Sequence, residues 1–291
     1  MKLSGFTFLR NAEELCFPYI QSIQSILPIC DEFVIALGQS QDNSPEILHQ
    51  LVKEHPKIKI IETVWNEHMQ VKGYTYAQQK MIAQFACTGD WLFYLEGDEI
   101  VHENDLEAIK EALYRYKDDQ EVEALAFHYY HFYGNTNTYL SSPTWYRYAP
   151  RIIKASVRSY APDGLYWLVL DPKNSNRIAR YPKAKLLDNY IYHYGWVRPE
   201  AAMSKKISQV NKHWGKSEGF DSKYSDIDHQ ILTEFKGTHP KIIDGFFAKE
   251  GGLFKANPRH ILTKKEKRQR FKMKLEKLFG LDLSRKYFKK I

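Results

Sequence analysis

The chain has 291 residues, with 43% hydrophobic and 26% charged, enough for one large or two small domains around a sizeable core. No apolar run reaches the length of a membrane span, and Arg10, Glu13 and Glu14 interrupt the N-terminal apolar patch, which argues against a signal peptide. The formal net charge of +7 sits in the tail: Lys264–Ile291 carries 12 Lys and Arg against 3 Asp and Glu, whereas the rest carries 30 against 32, so the basic pI is no argument for nucleic-acid binding by the body.

Leu3 to Leu9 reads as a first strand. Asn11 follows as the cap of a helix with Leu15, Tyr19, Ile23 and Ile26 at helical spacing, stopped by Pro28. Phe33 to Leu37 is a second buried strand that opens into the polar turn Gly38–Asn43. Ser44, as N-cap, and Pro45, at the first helical position, start a helix that ends near His55-Pro56. Ile58 to Val64 is a third strand, Tyr74 to Ala86 a helix, and Trp91 to Leu95 a fully apolar fourth strand. Leu106 to Tyr116 is helical. This alternation predicts a mostly parallel sheet with helices on both faces. Beyond Asp119 the texture changes. Leu125 to Tyr133, Tyr146 to Val157, Tyr166 to Leu170 and Tyr190 to Tyr194 read as strands, with a hairpin or long loop through 171–176. Pro199 to Trp214 is a helix, and a short helix is expected near Ile227 to Phe235. Cys16, Cys30 and Cys87 are far apart with no Cys-x-x-Cys, which suits a reduced cytosolic protein without structural zinc.

The chemistry concentrates where the fourth strand ends, at Glu96-Gly97-Asp98-Glu99. Glu96 and Asp98 are two residues apart and share a face if the strand continues, and Gly97 leaves room for a ligand. Two hard oxygen donors on a sheet rim suit a divalent cation held partly by substrate phosphates. The other reading is that Asp98 and Glu99 supply charge at the N-terminus of the next helix.

Three segments together resemble family 2 glycosyltransferases of the GT-A fold: Phe8-Leu9-Arg10-Asn11-Ala12-Glu13, the stretch from Asp31 to Asp42, and Gly89-Asp90-Trp91 through Glu99. His193-Tyr194-Gly195-Trp196 resembles a late segment of one bacterial branch. The resemblance covers roughly the first 200 residues, and its most specific part is the acidic motif in its strand context. It implies a GT-A-like (Rossmann-like) α/β fold, a mixed central sheet flanked by helices, and sugar transfer from a nucleotide-sugar donor, usually with inversion. It places Arg10, Asn11 and Glu13 at the donor's base and ribose and Asp42 on the acidic turn after strand two. Glu96 and Asp98 fall at a metal–diphosphate motif for Mg²⁺ or Mn²⁺. Two positions depart from the pattern: Leu37 stands where many members carry Asp, and Glu96 where the motif begins with Asp.

Such a transfer needs a base for the acceptor hydroxyl. Asp163, in Pro162-Asp163-Gly164 downstream of the acidic motif, is the first candidate, and the composition is equally that of a turn. Asp188 and Asp171 are weaker candidates. His193 is read as a third metal or diphosphate ligand or as a satisfied, partly buried histidine. Arg198, Lys205 and Lys206 could meet the diphosphate, with a solvated helix position the favoured reading of Lys206. His102 reads as a helix-start residue. Nine Phe, Tyr or Trp residues lie between Phe127 and Tyr148, with His128, His131 and Arg147. They suit sugar stacking in an acceptor site, or an aromatic strand pair packing across a sheet.

In the tail, Phe271, Leu275, Leu278 and Phe279 form an apolar stripe on a basic helix. This suits an anionic membrane surface, or a helix docked on the body with its lysines in water. The expected organisation is a nucleotide-sugar-binding half (1–120), an acceptor-binding half of the same domain (121–263) and a basic amphipathic C-terminal helical extension (264–291). The expected function is a metal-dependent, inverting glycosyltransferase acting on a cell-surface glycan or lipid-linked acceptor, cytoplasmic or peripheral at the inner membrane face, with no nucleic-acid partner. The alternative is a non-catalytic nucleotide- or glycan-binding protein of the same fold.

Overall fold

Apolar runs rich in β-branched and aromatic residues, separated by amphipathic segments, give the first half its order. The computed structural model describes residues 1–170, 179–214, 223–247 and 252–291. In chain order β1 (Leu3–Leu9), α1 (Tyr19–Ile26), β2 (Glu32–Gly38), α2 (Ser44–Glu54), β3 (Ile58–Thr63), α3 (Tyr74–Phe85) and β4 (Trp91–Tyr94) alternate. They are followed by β5 (Glu99–Val101), α4 (Leu106–Tyr116), β6 (Ala124–Tyr133), β7 (Asn135–Leu140) and β8 (Tyr148–Lys154). Next come the small sheet of β9 (Ser159–Tyr160), β10 (Leu168–Leu170) and β11 (Ala179–Arg180), then β12 (Lys183–Trp196), α5 (Glu200–His213), β13 (Leu232–Glu234), α6 (Lys264–Phe279) and β14 (Lys289–Lys290).

The main sheet runs β13-β7-β6-β8-β4-β1-β2-β3, with β12 branching from β6 to reach β5 and β14. β4, β1, β2 and β3 are parallel, and in this register Phe6 lies beside Val34 and Tyr94. β8 then pairs antiparallel with both β4 and β6, and β12 runs parallel to β6. The sheet is therefore mixed and continuous across the change in sequence texture. Its central strands β1, β2 and β4 are buried on both faces. Leu9, Phe33, Ile35, Leu37, Phe93 and Phe127 pack toward α1, α2 and α4, and Phe6, Val34, Ala36, Tyr94 and Trp167 pack on the other side. This is why β1, β2 and β4 read as continuous apolar runs without alternation.

Several expectations are corrected. Asn11 does not cap a helix: it takes a left-handed φ of 51°, and its side-chain oxygen accepts from the Gln41 N–H at 2.9 Å. Asn tolerates that conformation, and the helix waits for Pro18 to begin at Tyr19. Ser44 is the first residue of α2, and its hydroxyl accepts from the N–H groups of Ala12 (2.9 Å) and Glu13 (3.1 Å). β7 is a polar strand that alternation did not reveal; Gly134, at φ 72°, turns the chain into it. The helix expected near Ile227 is a short 3-10 turn at His229–Ile231 followed by β13. The C-terminal helix covers only 264–279. It opens with a Thr263/Glu266 capping box and stops at left-handed Gly280. The last residues then return to the body, where Phe288 is buried and β14 pairs with Lys183 and Ala184.

At the centre Arg151 is fully buried on β8. It donates to both oxygens of Glu99, at 2.7 and 2.6 Å, to Glu96 at 3.2 Å and to the Leu165 carbonyl at 2.8 Å. Tyr129 adds a hydroxyl donor to Glu99 at 2.8 Å. Removing one partner of such a pair leaves a desolvated charge. Arg151→Met is expected to lower unfolding free energy by about 3–5 kcal/mol, read by chemical denaturation, and Arg151→Met with Glu99→Leu to recover much of it.

Candidate active site

A cleft of about 690 Å³ opens at the carboxyl ends of β1 and β4. It is where an open α/β sheet offers its crevice. Arg10 ends β1 on its rim, and Glu96, Gly97 and Asp98 follow β4 into it. Asp163, Lys206 and His193 reach it from the second half of the chain. Neither Glu96 nor Asp98 lies in a closed core.

Asp98 is 1% exposed. Its Oδ2 accepts from the Lys206 ammonium at 2.8 Å and from the Arg198 guanidinium at 3.2 Å. Its Oδ1 faces Nε2 of His193 at 3.6 Å. Burial alone would raise this carboxyl, but the cations of Lys206 and Arg198 hold it well below the usual carboxylate range. Burial drives the affinity of His193 for a second proton down. Glu96 is different: burial and the charge of Glu99 push it up to about 8, although Arg151 holds one oxygen at 3.2 Å.

The family model for glycosyl transferase family 2 matches residues 19–165, half of the chain. The chain belongs to that family. Glycosyl transfer is the activity that names the family, and this chain's mixed sheet flanked by helices is GT-A-like. Among solved structures, Staphylococcus aureus TarS aligns at 13% identity over 75% of this chain with a TM-score of 0.41, and this chain spans 44% of that one. TarS 1–349 with UDP aligns at 11% over 78% of this chain and 69% of that one (TM-score 0.40), and TarS 1–349 with UDP-GlcNAc at 12% over 75% and 74% (0.41). No curated protein sequence matches the chain.

Of the residues expected at the donor, Arg10 lines the cleft, with its guanidinium over the Trp65 ring at 5.3 Å and its Nε donating to the Gln39 carbonyl at 3.0 Å. Asn11 and Asp42 are spent on structure. Asp42 accepts from the N–H groups of Glu14 (2.8 Å) and Ser44 (3.0 Å), and so ties the loop after β1 to the turn after β2. The Glu13 side chain is exposed outside the cleft wall. Arg198 is buried behind Asp98 and donates to the Leu15 carbonyl, so it braces the site from beneath. Lys205 and Lys206 exchange the expected roles: Lys205 pairs with exposed Glu14 at 3.0 Å, and Lys206 enters the cleft. His102 caps a 3-10 turn by accepting from the Asn104 N–H at 3.2 Å. Asp188 is exposed on β12, and Asp171 falls outside the described residues. Most of the aromatic stretch packs within the sheet, with Phe127 and Phe132 in the core, while Tyr146 lines the cleft.

Asp163 lines the cleft and is also a turn residue. Its Oδ1 accepts from the Leu165 N–H at 2.7 Å. That turn is held from below: Arg151 takes the Leu165 carbonyl and Lys80 the Gly164 carbonyl at 3.3 Å. Lys80 is fully buried between the rings of Tyr94 and Trp167, at 4.0 Å from each. Sequence reasoning missed Arg151, Lys80, Trp65 and Tyr287. An arginine inside the apolar run Ala149–Ile153 was a legible signal. Trp65 and Tyr287 carried none, since each reaches the cleft from far along the chain. Gly38 makes room for Trp65, because a Cβ there would lie 2.3 Å from the indole nitrogen.

A divalent cation must find donors that are not already taken. Arg151 takes one oxygen of Glu96 at 3.2 Å and leaves the other on the cleft wall. Among the described residues no group of three or more His, Cys, Asp or Glu converges as a cation cage. Asp98 Oδ1 and His193 Nε2 do fit a cation that substrate phosphates would also hold. Gly195 keeps the space beside them open: a Cβ there would sit 2.4 Å from His193 Nε2.

At the Trp65 end of the cleft His213 is buried against the Trp65 and Tyr76 rings. Burial, then the charges of Arg10 and Lys212, lower it to about 4 from 6.5. A histidine depressed in the folded state contributes stability above its unfolded pKa that is lost as pH falls through its folded one. Melting temperature should therefore drop between pH 6.5 and about 4 in the wild type, and less steeply in His213→Phe.

Proposed function

We propose that the chain transfers a sugar, with inversion, from a nucleoside-diphosphate donor to a hydroxyl of a cell-surface glycan or lipid-linked acceptor. The observation that carries this reading is the cleft itself. In a family 2 chain it brings Asp98, His193, Lys206 and Asp163 to one cavity at the strand ends. Residues 1–120 supply the donor end and residues 121–263 most of the acceptor end. Arg285 and Tyr287 complete the acceptor wall from the C-terminal segment, with Tyr287 stacked on Tyr166 at 4.7 Å.

The residues divide the work as follows. Trp65 and Tyr76 offer aromatic faces to the base, and Arg10, Lys72 and Lys206 offer positive charge to the diphosphate. Leu37 is fully buried, so base recognition falls to this aromatic wall. Asp98 and His193 would hold Mg²⁺ or Mn²⁺, which when bound supplies Lewis-acid stabilisation of the departing diphosphate. Asp163 takes the proton of the acceptor hydroxyl as its oxygen bonds to the anomeric carbon. The bond from that carbon to the diphosphate oxygen breaks, and its electron pair leaves with the nucleoside diphosphate. Tyr146, Tyr166 and Tyr287 give the acceptor sugar rings to stack on while their hydroxyls remain polar.

The exposed side of α6 supports a place at an anionic membrane surface. Phe271, Leu278 and Phe279 are 61, 74 and 61% exposed, next to exposed Lys267, Arg268, Lys274 and Lys277. No helix among the described residues is long and apolar enough to cross a membrane. The free cysteines Cys16, Cys30 and Cys87 suit the reducing cytoplasmic side.

Asp163→Asn is expected to reduce transfer or donor hydrolysis by about 10²–10⁴-fold with nucleotide affinity unchanged by calorimetry. Equal activity in this variant assigns the base elsewhere. Co-sedimentation with phosphatidylglycerol vesicles, weaker with phosphatidylcholine, should fall in Phe271→Ser/Leu278→Ser; equal binding in this double variant removes α6 from the membrane contact.

A further inference from the structure

His131 lies on β6 beside His193 of β12, and the two strands run in parallel register at this pair. Both rings are buried, at 2% and 7% exposure. Their Nδ1 atoms are 2.9 Å apart. On its other side His131 Nε2 lies 2.7 Å from the Tyr146 carbonyl oxygen. A carbonyl can only accept, so Nε2 of His131 carries the hydrogen. In the neutral ring Nδ1 of His131 is then an acceptor, and the hydrogen between the two rings belongs to Nδ1 of His193. With His193 also neutral, this leaves its Nε2 as a lone pair, aimed at Asp98 Oδ1, 3.6 Å away. Two acceptors face each other across a gap that Gly195 keeps free of side chain. A lone pair and a carboxylate oxygen repel unless something positive lies between them. Lys206 and Arg198 do not fill that place, because both bind the other oxygen, Oδ2.

We propose that His131 is a positioning residue. A relay from the Tyr146 carbonyl through His131 fixes the tautomer and rotation of His193, so that His193 Nε2 and Asp98 Oδ1 form a two-residue seat for a divalent cation. The inference rests on the metal-dependent reading above and adds the part that makes His193 a ligand. Histidines that bind metals donate their second ring nitrogen to a fixed acceptor, which sets ring orientation and basicity. Here that acceptor is a second histidine, locked in turn by a main-chain carbonyl. The relay also joins the cation seat to the acceptor side. Tyr146 supplies the carbonyl from a residue whose ring lines the cleft and meets Tyr287 edge-on at 5.9 Å.

The test titrates Mn²⁺, alone and with UDP, and follows free Mn²⁺ by electron paramagnetic resonance. His131→Phe, which fills the space without an acceptor, is expected to weaken Mn²⁺ binding about 10–100-fold, the usual cost of losing such a partner. His131→Asn, which keeps an acceptor oxygen near the Nδ1 position, should bind within about threefold of wild type. Wild-type affinity in folded His131→Phe overturns the relay, and so does a folded His131→Asn as weak as His131→Phe. No Mn²⁺ binding by the wild type overturns the metal reading itself and this inference with it. A second measurement needs no variant: long-range ¹H–¹⁵N correlation spectra should show His193 with its hydrogen on Nδ1, and a hydrogen on Nε2 overturns the proposal.

Discussion

The buried guanidinium of Arg151 is the constraint on which the site depends. It comes from β8, the strand that turns the parallel half of the sheet into a mixed one. It binds the carboxylates after β4 and the carbonyl of Leu165, next to the turn that carries Asp163. The acidic motif and the proposed base are more than sixty residues apart in sequence. One side chain sets their separation. A charge so deep is tolerable because its partners are charged and every direction of its fork is used.

Around this centre the charges are arranged by depth. Among the described residues Glu96, Asp98 and Glu99 are met by Arg151, Arg198 and Lys206. The pairs differ in consequence. Glu99 is sealed and structural. Glu96 is held by the same arginine, but burial and then the charge of neighbouring Glu99 raise its affinity for a proton. Asp98 faces cations on one oxygen and His193 on the other. Three acidic residues that look alike in the sequence thus have three different surroundings, and among them Asp98 is the one whose second oxygen faces a histidine.

The tail belongs to the same design. Arg147 binds Glu276 at 2.9 and 2.8 Å and Asp282 at 3.2 Å, which anchors α6 and the turn after it. The segment that follows brings Arg285 and Tyr287 to the cleft and ends as an edge strand. A basic helix read as an appendage is therefore covalently continuous with a wall of the site. Its exposed face remains available to a surface while its end is committed to the fold.

How much of this was written in the sequence follows from the range of each interaction. Strand runs, helical periodicity and the Glu96–Glu99 motif are local, so β1, β2, α3, β4, α4 and α5 and the acidic rim were legible within a few residues of their ends. Asn11 was misread because its left-handed turn is stabilised by Gln41, thirty residues away. Lys206 was misread because helical periodicity in α5 does not say which side meets Asp98. The sequence by itself determined the alternating α/β order and the carboxylates at the fourth strand's end, since both depend on nearest neighbours and side-chain period. Tertiary structure decided which carboxylate is sealed, which faces His193, and that His131 stands behind it, because those outcomes depend on registers between strands and on burial, and neither is a property of any single segment.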